Sequence, residues 1–119
     1  MKKVLFIFSL TLISLISIAE NQANIKLKGK LTGGPKSQST LVEVLLFENE
    51  IQVNFLECLG NLTVTIVDEN EHTVYNENVN SCVIKSISIN VQNLSSGWHK
   101  ITVSDTQGGW VEGSFFIEN

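Results

Sequence analysis

ISINVQNLSSGWHKITVSDTQGGWVEGSFFI, from Ile87 to Ile117, is the stretch that decides the fold. Ile87-Ser88-Ile89-Asn90-Val91 alternates apolar and polar side chains strictly. That is the period of a half-buried strand, in which successive side chains point to opposite faces. Asn93-Leu94-Ser95-Ser96-Gly97 interrupts it with turn residues. Trp98 to Asp105 resumes the alternation, Thr106-Gln107-Gly108-Gly109 breaks it again, and Trp110 to Ile117 completes a strand, turn, strand, tight turn, strand unit. Working outward, further strands are expected at Ile25–Leu31, Leu41–Phe47, Ile51–Phe55, Leu62–Val67, His72–Val79 and from Ile84 to Val91. About eight short strands with a turn every eight to twelve residues, and no helical period, predict an all-β antiparallel two-sheet sandwich of seven or eight strands. Leu41–Phe47 and Ile51–Phe55 read as a hairpin. The lysines of Ile25–Leu31 mark an edge strand with one wet face.

Residues 1–19 read differently. Lys2-Lys3 precedes an apolar run from Val4 to Ile18, and Ser17-Ile18-Ala19 offers small residues before a cut. This is the pattern of a cleaved signal peptide, and the run is shorter than the roughly 20 apolar residues of a spanning helix. The expected organisation is a leader over 1–19, a flexible terminus over 20–24 and a sandwich domain over 25–119. Such a chain is exported to the periplasm, the cell surface or the medium, and no membrane insertion is expected after cleavage. Removal of Lys2 and Lys3 takes the eight basic residues to six, against twelve acidic ones and with no Arg, a formal net charge of −6. That balance argues against nucleic acid, whose phosphates need a cationic footprint, and against anionic lipid.

Cys58 and Cys82 are the two cysteines. In an oxidising compartment they either form a disulfide or serve as small buried apolar groups. His72 and His99 have no partner at ligand spacing, so neither a metal site nor a cofactor is expected. No Ser, Cys or carboxylate pair has a base at a recognisable spacing, so no catalytic residue is assigned and an enzyme is not expected.

The segments Gly60-Asn61-Leu62-Thr63-Val64, Val74-Tyr75, Leu94-Ser95-Ser96-Gly97, Ile101-Thr102-Val103 and Gly113-Ser114-Phe115-Phe116-Ile117 carry a resemblance. Over nearly all of residues 20–119 the chain resembles a family of small secreted proteins of unknown function from Bacteroides-type gut bacteria. The resemblance implies an immunoglobulin- or fibronectin-type-III-like sandwich and no established activity. The same region is similar to the C-terminal sorting domain of the type IX secretion system. In both groups an aromatic, often Tyr, stands two residues after the turn glycine, where this chain has His99 beside Trp98.

Strand parity locates a candidate site. His99, Ile101 and Val103 share an inward face, as do Val111, Gly113, Phe115 and Ile117. Trp98, Lys100 and Thr102 then point outward, beside Trp110, Glu112, Ser114 and Phe116 on the next strand. In a fibronectin-like order the Leu62–Asp68 strand lies on the far side of the Trp98 strand, with His72–Val79 beyond it. The expected ligand-binding surface is an outer row of Phe116, Trp98, Val67 and Tyr75, rimmed by Lys100 and Glu112. Exposed aromatic patches mark binding, by stacking on sugar rings or by anchoring a protein. The plainer reading is that these side chains shield one another, or that Thr32–Thr40 covers them. The function expected is a secreted, non-enzymatic binding module for glycan or for another envelope protein; the alternative is a structural or sorting module of a surface assembly.

Overall fold

The computed structural model describes residues 23–31 and 41–118. Residues 1–22, on which the expected leader and most of the expected flexible terminus fall, Thr32–Thr40 and Asn119 lie outside the described residues. The described chain forms nine strands: β1 Ala23–Asn24, β2 Lys28–Lys30, β3 Val42–Leu46, β4 Glu50–Phe55, β5 Asn61–Asp68, β6 Thr73–Asn80, β7 Ser86–Asn90, β8 Gly97–Asp105 and β9 Trp110–Ile117. They make two antiparallel sheets, one ordered β1-β3-β4-β7 and the other β2-β9-β8-β5-β6. The expected hairpin is β3–β4, in register from Val42↔Phe55 to Leu46↔Ile51. β8 is flanked by β9 and β5, with β6 beyond, as a fibronectin-like order requires.

The alternation works as side-chain chemistry says it must. Ile51, Val53 and Phe55 of one sheet meet Leu62, Val64, Ile66, Ile101 and Val103 of the other, all buried in one core. Gln52, Asn54, Thr63, Thr65 and Thr102 on the opposite parity remain partly solvated. The inward sets read from Trp98–Ile117 are buried: His99, Ile101, Val103, Val111, Gly113, Phe115 and Ile117.

Three expectations need correction. The segment expected as one strand, Ile25–Leu31, is divided, and Ala23–Asn24 belongs to β1 rather than to a loose terminus. Ile25 is buried and its N–H donates to the Val44 carbonyl at 2.9 Å, so the chain leaves the first sheet here and joins the second at Lys28. Burying Ile25 in the seam between the sheets outweighs continuing one regular edge. Ile84 closes a turn rather than opening β7, which begins at Ser86. The Val83 and Ile84 amides both donate back to the Asn80 carbonyl, at 3.1 and 2.9 Å, which turns the chain and leaves Ile84 exposed.

The third concerns Tyr75. It pairs with Ile66, which is fully buried, so it shares the inward face and packs against the core rather than joining the outer row. Among the described residues β6 is the outermost strand of the larger sheet, and on its inward side only Val79 is buried. Inward positions such as Glu77 are therefore wet, which erases the contrast by which alternation reveals a face. An irregularity between Ile66 and Val67 then pairs Val67 with Thr73.

Candidate functional site

Two aromatics meet on the outer face at one end of the β8–β9 pair. Trp98 and Phe116 are directly opposite in the β8–β9 register. A directly opposed antiparallel pair brings Cβ atoms within about 5 Å, close enough for rings to touch. The rings meet edge to face with centroids 5.4 Å apart, yet Trp98 is 55% and Phe116 47% exposed. Edge-to-face contact suits the opposite charges of ring edge and ring face. Lys100 lies one outward position along β8 and its Nζ is 3.5 Å from Glu112 Oε2.

The rest of the expected row is arranged otherwise. Val67 is on the outer face but opposite Lys100, not Trp98. Beyond Asp68, which pairs with His99, the Glu69 carboxylate lies against Gly97, occupying the space a Cβ there would take. Tyr75 is on the other face, its hydroxyl donating to Glu77 Oε2 at 2.9 Å. Burial first, then that hydrogen bond and the Glu77 charge, push its phenol up to about 12. Of the five expected site residues, Trp98, Phe116 and Lys100 come together, Val67 borders them and Tyr75 does not take part.

Sequence reading missed the other wall. The crossing segment Ala23–Lys28, with Leu46, faces Trp98, Lys100, Glu112, Ser114 and Phe116 across an open groove of about 1010 Å³. Gly113 makes that crossing possible. A Cβ on it would stand 2.6 Å from Ile25 Cγ2 and 2.6 Å from the Lys26 carbonyl. A glycine inside a strand pattern is a recognised sign of close backbone approach, and Gly113 was the one available signal for this wall.

Asp68 serves the turn that follows β5. Asp68 Oδ1 accepts from the Asn70 and His72 amides at 2.9 Å each, closing the β5–β6 turn. The hydrogen bond from the His72 amide, foremost, holds its carboxyl below the ordinary value, against an opposing effect of burial. Among the described residues no cluster of His, Cys, Asp and Glu is arranged to hold a metal ion.

No curated protein sequence is similar to this chain. A crystal structure of a DUF3244 family protein from Bacteroides vulgatus, described as an immunoglobulin-like β-sandwich, superposes with a TM-score of 0.70 at 18% identity, covering 82% of this chain and 99% of that one. At that identity the likeness speaks for the fold alone. Residues 24–117 match the family model described as domain of unknown function DUF3244. That match takes in both sheets and both walls of the groove, and the chain belongs to the DUF3244 family.

Proposed function

We propose that this domain is an exported, non-enzymatic binding module of the cell envelope, and that its outer β9–β8 face receives a glycan or a protein partner. The observation that supports this is the Trp98–Phe116 pair: two large rings in mutual contact, half exposed, at the wall of an open groove. Scattered surface aromatics are ordinary, but a contiguous pair beside a concavity offers a large apolar area with few rotamers to freeze on binding. Lys100 and Glu112 on this face form an ion pair rather than a nucleophile and base.

Tryptophan emission during titration with a panel of oligosaccharides and peptides tests this. A Trp110→Phe background isolates the Trp98 signal. Binding should shift or quench that signal, and Trp98→Ala should abolish binding while costing less than about 2 kcal/mol of stability, the scale of one exposed aromatic contact. A larger loss of stability would make Trp98 a packing residue, and binding unchanged in Trp98→Ala would move the site elsewhere.

A second reading, a structural or sorting module acting through strand edges, is favoured by one observation. β2 pairs with only Trp110–Glu112 of β9, which runs on to Ile117.

A further inference from the structure

We infer that the groove takes an extended acidic peptide segment of another protein, added as a strand along Gly113–Ile117 of β9. The inference rests on the outer-face reading and specifies its partner.

The topology supplies the first argument. β9 lies between β2 and β8, but β2 reaches no further than Glu112. Upstream of Lys28 the chain does not follow β9; it crosses over Gly113 and pairs with β3 through Ala23↔Leu46 and Asn24↔Leu45. Among the described residues no strand therefore lies beside the outer edge of β9 from Gly113 to Ile117. A strand edge offers unpaired N–H and C=O groups, and natural proteins blunt such edges with lysine, proline or a bulge. Gly-Ser-Phe-Phe-Ile has no charge and no proline, and β9 pairs with β8 without a shift in register. The groove follows this undefended edge, so an added strand satisfies both its own backbone and that of β9.

Charge supplies the second. The whole chain carries a formal net charge of −4, yet the charged residues lining the groove are Lys26, Lys28 and Lys100 against Glu112 alone. An anionic occupant complements that wall. Lys28 pairs with Glu112 and so shares the outward parity of Lys100. Acidic side chains of the added strand would thus point outward, alternating with apolar ones directed at Ile25, Leu27 and Leu46 in the seam. A second copy pairing edge to edge would bring three more lysines against these three, which disfavours self-pairing. A sugar would use the rings but leave the backbone edge unused.

Selection of a phage-displayed library of random ten-residue peptides on the purified protein tests this. Recovered peptides should alternate acidic and apolar residues over about five positions. They should bind at least about tenfold more weakly to K26E/K28E, which should still melt in one cooperative transition even though the Lys28→Glu carboxylate would stand opposite Glu112. Binding should slow hydrogen exchange at the amides of Ser114–Ile117. Recovered peptides without acidic bias, or with affinity unchanged by K26E/K28E, would overturn the inference. Self-association through β9 would overturn it as well. An oligosaccharide that shifts Trp98 emission while no peptide protects those amides would keep the outer-face reading and sink strand addition. Failure of every probe to perturb Trp98 would sink both.

Discussion

His99 and Tyr75 both carry polar atoms on the inward face, and the fold treats them differently. The His99 ring stacks on Phe115 with centroids 5.5 Å apart, and its Nδ1 lies 3.0 Å from the Gly97 carbonyl. A carbonyl only accepts, so Nδ1 bears a proton; Nε2 is buried and has no hydrogen-bond partner among the described residues. So enclosed, His99 belongs to packing. Tyr75 lies on β6, the outermost described strand of its sheet, where its hydroxyl reaches Glu77. It is the one tyrosine of the chain, so its titration can be followed directly. Absorbance should show native-state ionisation at about pH 12 rather than near the usual value of about 10. The folded value is raised, so the neutral phenol stabilises the fold fully below the unfolded value. That contribution is lost as pH climbs through the folded one. Tyr75→Phe should remove this alkaline component. A native midpoint at the ordinary tyrosine value would mean that the phenol is neither buried nor bonded to Glu77.

Among the elements, the crossing between β1 and β2 decides where the groove lies. It depends on Gly113 having no side chain. Gly113→Ala would drive a methyl into Ile25 and the Lys26 carbonyl, one flexible contact and one backbone contact that has little freedom to yield. Overpacking of this kind costs about 1–3 kcal/mol. The strain should appear first as faster hydrogen exchange at the Ile25 amide, which bonds Val44. Unchanged stability and exchange would show that the crossing does not press on β9. This element also marks where sequence reading ran out. Parity put Trp98 and Phe116 on one outer face because both strands bury one full side, so each apolar residue reports its face; the short connection between them left the pair opposite or diagonal, and the register makes it directly opposite. Ile25–Leu31 alternates just as cleanly, but alternation describes faces within one sheet and does not register a change of sheet. Tyr75 failed for a related reason: the inward side of β6 is mostly uncovered, and Val79 alone is buried there.

At the scale of the molecule, two connections at one end of the sandwich are joined twice. The Cys58–Cys82 disulfide links the β4–β5 connection to the β6–β7 connection. Beside it the buried Ser81 hydroxyl donates to the Gly60 carbonyl and accepts from the Leu59 amide, both at 2.8 Å. The sequence permitted the disulfide without choosing it, because spacing does not say whether two Cβ atoms approach. The core runs the length of both sheets and leaves the cross-link as reinforcement rather than as the source of the fold. With 24 residues of separation, constraint of the unfolded chain amounts to about 3.5 kcal/mol on the chain-entropy model. The double variant Cys58→Ala, Cys82→Ala should therefore fold, with a melting temperature lower by roughly 14–28 °C. The Trp98–Phe116 groove lies on the larger sheet away from this link, so ligand-dependent Trp98 emission should survive in the double variant below its melting point. Reactive thiols in the native wild-type protein would contradict the bond itself. Loss of the Trp98 response in a variant that still melts cooperatively would instead mean that the cross-link shapes the face, and the two ends of the sandwich could no longer be treated as independent.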